Sequence, residues 1–164
     1  MSPPDGTSFS GGARLNARLA AIAKKLGGRP VVRVGFLENA TYPDGSGVAA
    51  VAAMNEFGTA TAPPRPFFRR MIAAKKDEWG PATALALKAT NYDAKAALGR
   101  VGMGIAGQLR QAIVDFTDPP LAPSTIARKS RGSVGNLHGV LGPAKPLVDT
   151  GLMLASIDME IGEG

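Results

Sequence analysis

One histidine, His138, and no cysteine among 164 residues leave few side chains able to run a reaction. Serine-based hydrolysis needs a nucleophile, a base and an orienting acid. His138 is the base such a site would use, with a serine such as Ser133 and an acid such as Asp149. All three sit in or beside a Gly/Pro-rich stretch that gives a triad no rigid support, and no G-x-S-x-G elbow is present. Without cysteine, thiol catalysis, disulfides and iron–sulfur clusters are excluded, and one histidine cannot build a Cys/His zinc site. Gly102-Met103-Gly104-Ile105-Ala106-Gly107 spells G-x-G-x-x-G. That pattern binds a pyrophosphate only as a tight turn between a strand and a helix N-terminus. Here Asp93-Ala94-Lys95-Ala96-Ala97 precedes it instead of a strand, and no acid follows about 20 residues on to hold a ribose. Asp77 with Glu78, and Asp115 with Asp118, read as surface or helix-end charges, and no three carboxylates cluster for a hard metal. No catalytic residue, cofactor or metal is expected.

Binding has more material. Arg65, Arg69, Arg70, Lys75 and Lys76 are interleaved with Phe67, Phe68 and Trp79. The group suits phosphate binding with aromatic stacking, and equally an amphipathic helix with its rings inward and its cations in water. The formal charge is +6, unevenly placed. Residues 1–37 carry Arg14, Arg18, Lys24, Lys25, Arg29 and Arg33 against Asp5, while residues 149–164 carry Asp149, Asp158, Glu160 and Glu163 and no base. Such a chain can pair head to tail with copies of itself or lay its basic part on nucleic acid.

The elements that must position these groups follow from periodicity. Aromatics are only 5% of the chain, with 21 Gly and 13 Pro, so the core is thin and largely aliphatic. Leu15, Leu19, Ile22 and Leu26 fall on one face of a helix stopped by Gly27-Gly28. Residues 31–37 read as a strand with Val32, Val34 and Phe36 on one side, and residues 38–46 as a loop or hairpin tip. A short Ala-rich helix over 47–57 ends at Gly58, with Phe57 expected inside. After the extended Ala62-Pro63-Pro64-Arg65-Pro66, a helix begins near Phe67. Gly80-Pro81 is expected to interrupt it and open another helix to about Asn91. Asp93 suits the N-cap of the longest helix, striped by Leu98, Val101, Ile105, Leu109, Ile113 and Phe116. Residues 117–146 hold five prolines and four glycines and read as an extended arm, with at most a helical turn after Ser124. Asp149 caps a short helix over 152–154, and Ile157, Met159 and Ile161 alternate with acids as a half-exposed strand. The division is a flexible arm, 1–12, and one domain, 13–164, that includes the 117–146 loop. Gly99, Gly102, Gly104 and Gly107 smooth one helix for close approach by another backbone. Met1-Ser2-Pro3-Pro4-Asp5-Gly6 lacks the order of a signal peptide, and no apolar run nears the roughly 20 residues of a membrane helix. A soluble protein of a reducing cytoplasm, without membrane contact, is expected.

Six strings carry a resemblance: Val34-Gly35-Phe36-Leu37, Tyr42-Pro43-Asp44-Gly45, Asn55-Glu56-Phe57-Gly58-Thr59 with Pro64-Arg65-Pro66-Phe67-Phe68-Arg69, Pro120-Leu121-Ala122-Pro123-Ser124-Thr125-Ile126-Ala127-Arg128-Lys129, and Pro146-Leu147-Val148-Asp149-Thr150-Gly151-Leu152-Met153. Over about residues 31–161 the chain resembles the tail-completion, or neck, proteins that join head and tail in long-tailed bacteriophages. The resemblance implies an α+β fold, a small antiparallel sheet packed against several helices with a long Pro/Gly-rich arm. It also implies a non-enzymatic virion protein, assembled in the bacterial host cytoplasm as a homo-oligomeric ring, a hexamer, around the DNA channel. Its neighbours would be the connector or adaptor, the tail terminator or the tail tube, with non-specific DNA contact in the channel. Subunit or partner contacts are expected at Glu56, Arg65, Arg69, Arg70, Arg128, Lys129, Gly104 and Gly107, with Glu56 pairing one of the nearby arginines. Phe57, Phe67 and Phe68 are expected to anchor the core. The alternatives are a DNA-binding module using the basic N-terminal helix, and a minor tail or baseplate protein.

Overall fold

Val32, Val34 and Phe36 alternate toward one side of strand β1 (Pro30–Phe36), and Ile157, Met159 and Ile161 do the same on β2 (Ile157–Glu163). The strands pair antiparallel with Val32 opposite Ile161, Val34 opposite Met159 and Phe36 opposite Ile157, so all six apolar side chains fall on one face. A two-stranded sheet is marginal until that face is covered. Helix α4 (Ala94–Asp115) covers it, and α3 (Phe67–Ala89) packs against α4. The computed structural model describes residues 11–36, 39–131 and 141–164. Among these the remaining helices are α1 (Gly11–Lys25), α2 (Val48–Phe57), α5 (Pro123–Arg131) and α6 (Leu152–Ala155). The fold is α+β, with a small antiparallel sheet and six helices among the described residues.

Helix α4 lies where its stripe predicts. Asp93 accepts the amide of Ala96 at 2.9 Å, an N-cap to N3 bond. Val101, Leu109, Ile113 and Phe116 are buried. The core runs from these to Val48 and Ala52 of α2, Phe67 and Met71 of α3, Leu147, Val148, Met153 and Ile157. Phe36 meets Phe67 edge-on, with ring centroids 6.3 Å apart, which ties β1 to the start of α3. Residues 41–47 form the expected tip: Thr41 bridges Gly47, and Gly45 takes a left-handed φ of 85°.

Three expectations are corrected. First, α3 is not interrupted at Gly80-Pro81. It runs 23 residues through Pro81, one longer than α4. Packing along α4 holds it, with Trp79 Nε1 donating to Gln108 Oε1 at 2.9 Å, and Thr83 Oγ1 donates to the Trp79 carbonyl at 2.7 Å beside the proline. Second, the 117–146 segment is not a continuous loop, because Pro123 opens the nine-residue α5. Third, Gly11 and Gly12 belong to α1, so the 1–12 arm is helical at its end. Residues 1–10, Leu37, Glu38, Ser133 and His138 lie outside the described residues, and with them most of the arm and two members of the Ser/His/Asp combination.

Candidate functional site

Helix α3 starts at Phe67 behind Pro66, whose ring offers no side-chain cap. The first amides of a helix need acceptors. Glu56, near the end of α2, supplies them. Its Oε2 accepts from Phe68 N at 2.9 Å and its Oε1 from Arg69 N at 3.2 Å, while Arg69 Nε donates to the same Oε1 at 2.7 Å. Arg69 also donates to the Glu56 carbonyl at 3.1 Å. A carboxylate at a helix N-terminus gains from the macrodipole as well as from the bonds. Glu56 is 5% exposed. Both its oxygens are engaged within the chain, and its arginine partner is Arg69.

The rest of the Asn55 to Phe68 corner follows from this clamp. Arg65 N donates to Asn55 O at 2.7 Å, and Asn55 Nδ2 returns to Val51 O at 2.9 Å. Gly58 has φ 80°, and a Cβ there would lie 2.8 Å from Pro64 N, so the turn requires glycine. The turn sends Phe57 outward. Phe57 is 67% exposed, which corrects its assignment to the core, and the Arg69 guanidinium sits over its ring at 5.1 Å. Phe67 is buried in the core, and Phe68 is half-buried against it.

Helix α2 therefore buries its acid beside Val48 and Ala52 and keeps apolar residues on its outer side as well. Its acid points in, and Ala49, Ala50, Ala53, Met54 and Phe57 point out. Apolar residues all round a helix imply burial on both sides, and among the described residues only the inner side is covered.

The cations do not converge. Arg70 donates to Asp118 O at 3.4 Å and lies over the Phe116 ring, Lys75 pairs Glu78 at 2.8 Å, and Arg128 is exposed in the last turn of α5. Arg65 is half-buried, and its Nε has no hydrogen-bond partner among the described residues. Lys129 is turned inward at 8% exposure, with Nζ donating to Lys145 O at 2.9 Å and to Val148 O. Burial lowers its pKa, with Asp149 opposing and Arg128 and Arg65 reinforcing the shift. A single phosphate site of stacked rings and arginines is not formed.

The glycines of α4 divide into two pairs. Gly99 and Gly102 face the sheet, where a Cβ on Gly102 would lie 2.6 Å from Val32 Cγ2, so the close backbone approach occurs within the chain. Gly104 and Gly107 face open space. Residues 102–107 lie in the middle of α4, whose amides are spent on its own bonds, so the G-x-G-x-x-G string presents no free helix N-terminus.

Beside α2 opens a cleft of about 290 Å³. Val51 and Asn55 of α2 form one wall, Leu147 and Met153 its apolar floor, and Asp44 and Asp149 its acidic rim. Asp44 accepts Ser46 N at 2.9 Å and Ser46 Oγ, and these bonds hold its pKa below the usual carboxylate range. Burial, and then the charges of Asp149 and Asp44, push the Tyr42 phenol up. Spacing did not reveal this cleft, because its walls come from segments about a hundred residues apart. Among the described residues no three His, Cys, Asp or Glu side chains group to hold a metal, and no helix is long and apolar enough to cross a membrane. No family model, curated protein or solved structure matches the chain.

Proposed function

We propose that this chain is a structural, non-enzymatic protein of a long-tailed bacteriophage virion, a subunit of the ring that joins head to tail around the DNA channel. The observation that carries the reading is the exposed apolar outer face of α2. The Asn-Glu-Phe-Gly-Thr and Arg-Pro-Phe-Phe-Arg strings use their acid, glycine and arginine to lock the α2–α3 corner, and by doing so present Met54, Phe57 and Arg69 outward. A helix face of that kind is made for another protein. The open Gly104 and Gly107 face of α4 offers a second smooth surface, and Arg128 a third contact. Glu56 and Lys129 are buried and shape those surfaces from inside, while Arg70 is exposed and stays among the proposed contacts.

The test is the mass of the purified protein alone and after mixing with tails, together with its presence in finished particles. Association into a ring and incorporation at the neck are expected. A protein that stays monomeric and never joins tails overturns the reading, and location elsewhere in the tail moves it to a minor tail or baseplate role. A second reading, DNA binding, is favoured by the row of Arg14, Arg18 and Lys25 on α1, a helix without a carboxylate. It predicts affinity that falls steeply with salt, and absence of binding at low salt ends it.

A further inference from the structure

Helix α1 has a seam whose N-terminal half no described residue covers, while Ile22 and Leu26 nearer the anchor are partly covered. Leu15, Leu19, Ile22 and Leu26 repeat at 4-3-4 spacing, the narrow a/d pattern of a helix that packs on another helix. Leu15 and Leu19 are 58% and 54% exposed. A 15-residue helix is marginal alone in water, so this seam needs a partner. Among the described residues a tie between α1 and the rest of the chain lies at its far end, where Lys25 Nζ donates to Asn91 O at 3.2 Å.

The uncovered face of α2 is the matching surface. Its exposed residues are small alanines, Ala49, Ala50 and Ala53, beside the larger Met54 and Phe57, a pattern of sizes suited to leucine knobs. The lengths agree: the seam spans about 16 Å from Leu15 to Leu26, and the ten residues of α2 about 15 Å. The charges agree as well. Arg14, Arg18 and Lys25 flank one edge of the seam, and α1 has no acid. Along one edge of α2 runs the cleft rimmed by Asp44 and Asp149. In this structure the chain does not make this match with its own helix. Lys25 is held beside Asn91, past the C-terminal end of α3, whereas α2 is clamped to the N-terminal end, roughly 34 Å away along 23 residues. From that anchor α1 extends only about 21 Å.

The geometry points to exchange between copies: α1 of one subunit lies on α2 of the next, its leucines on Ala50, Ala53, Met54 and Phe57 and its cations over Asp44 and Asp149. This rests on the chain acting as an oligomer, and it names the surfaces that join neighbours. Residues 11–26 thereby acquire a task, a belt from subunit to subunit.

The absence of cysteine makes the test direct. Full-length Leu19→Cys and Ala53→Cys proteins are mixed under mild oxidation, and a disulfide-linked dimer of one chain of each is expected, in excess over either variant alone. In sedimentation velocity, the Leu15→Glu, Leu19→Glu double variant should self-associate roughly tenfold more weakly or worse, about what one lost buried leucine is worth. At a dilution where the parent is monomeric, its circular dichroism and melting should match the parent's, since both positions are exposed in the single chain. Overturning results are equal cross-linking by Leu19→Cys alone, which pairs α1 with itself, no mixed cross-link, or unchanged association of the double variant. Loss of DNA binding in the double variant with association intact also overturns it. If the parent protein assembles and the double variant does too, only the belt falls. If the parent is monomeric at every concentration, the ring reading falls with it.

Discussion

Glu56 shows how one side chain sets the character of a surface it does not reach. It replaces the cap that Pro66 cannot supply and holds Arg69, and Arg69 in turn lies on Phe57. Glu56→Ala should lower unfolding free energy by about 3 kcal/mol, the sum of a lost N-cap and a charge-assisted bond, read from the denaturant midpoint. In a double-mutant cycle Glu56→Gln should couple to Arg69→Met and act additively with Arg65→Met, because Arg65 does not reach the carboxylate. Asp44 gives a prediction in pH. Its bonds to Ser46 favour the ionised form in the folded chain, so the stabilisation is whole above the ordinary carboxylate pKa and is lost as pH falls below about 4. Ser46→Ala should move the Asp44 carboxyl titration, followed by NMR, back up toward the usual range. Sequence suggests that Glu56 pairs with one of the nearby arginines; it does not say that the partner is Arg69, nor that the acid is inside and the phenylalanine outside. In α2 nearly every residue is apolar, so periodicity cannot choose which side faces the core.

At the level of elements, α4 and the two strands were legible because their apolar residues recur at one period with a cap or a turn at the end. Helix α3 was not. Proline disfavours the helix around it by rule, but the cost is local, and the packing of α3 along α4, including the Trp79 to Gln108 bond, exceeds it. The α4 glycines give the sharpest prediction here. Gly102→Ala forces a methyl against Val32 and the Met159 side chain and should cost about 1–3 kcal/mol. Gly104→Ala and Gly107→Ala meet nothing and should each stabilise the isolated subunit by up to about 1 kcal/mol, measured by thermal or denaturant unfolding. If those two positions are subunit contacts, the same changes weaken assembly while raising stability, a pairing of signs that a purely structural role does not produce.

Across the whole molecule, α1 stands apart while β2 is integral. Removing residues 1–25 should leave the melting temperature of the remainder within a few degrees, because α1 covers none of the core. Removing residues 157–164 should abolish the cooperative transition seen by calorimetry, since β1 loses its partner and the Gly99 and Gly102 side of α4 is laid open. Sequence alone gave both strands but not their union, since nothing local in residues 30–36 names a mate so far downstream. That union also orders events in time. Arg33 and Glu160, neighbours across the sheet, are 127 residues apart in the chain. During translation β1 emerges from the ribosome with its apolar side bare and must wait for more than a hundred further residues before β2 arrives. The nascent polypeptide is therefore most exposed to mispairing with other newly made copies through this early strand, a hazard that a chaperone or slow accumulation would relieve.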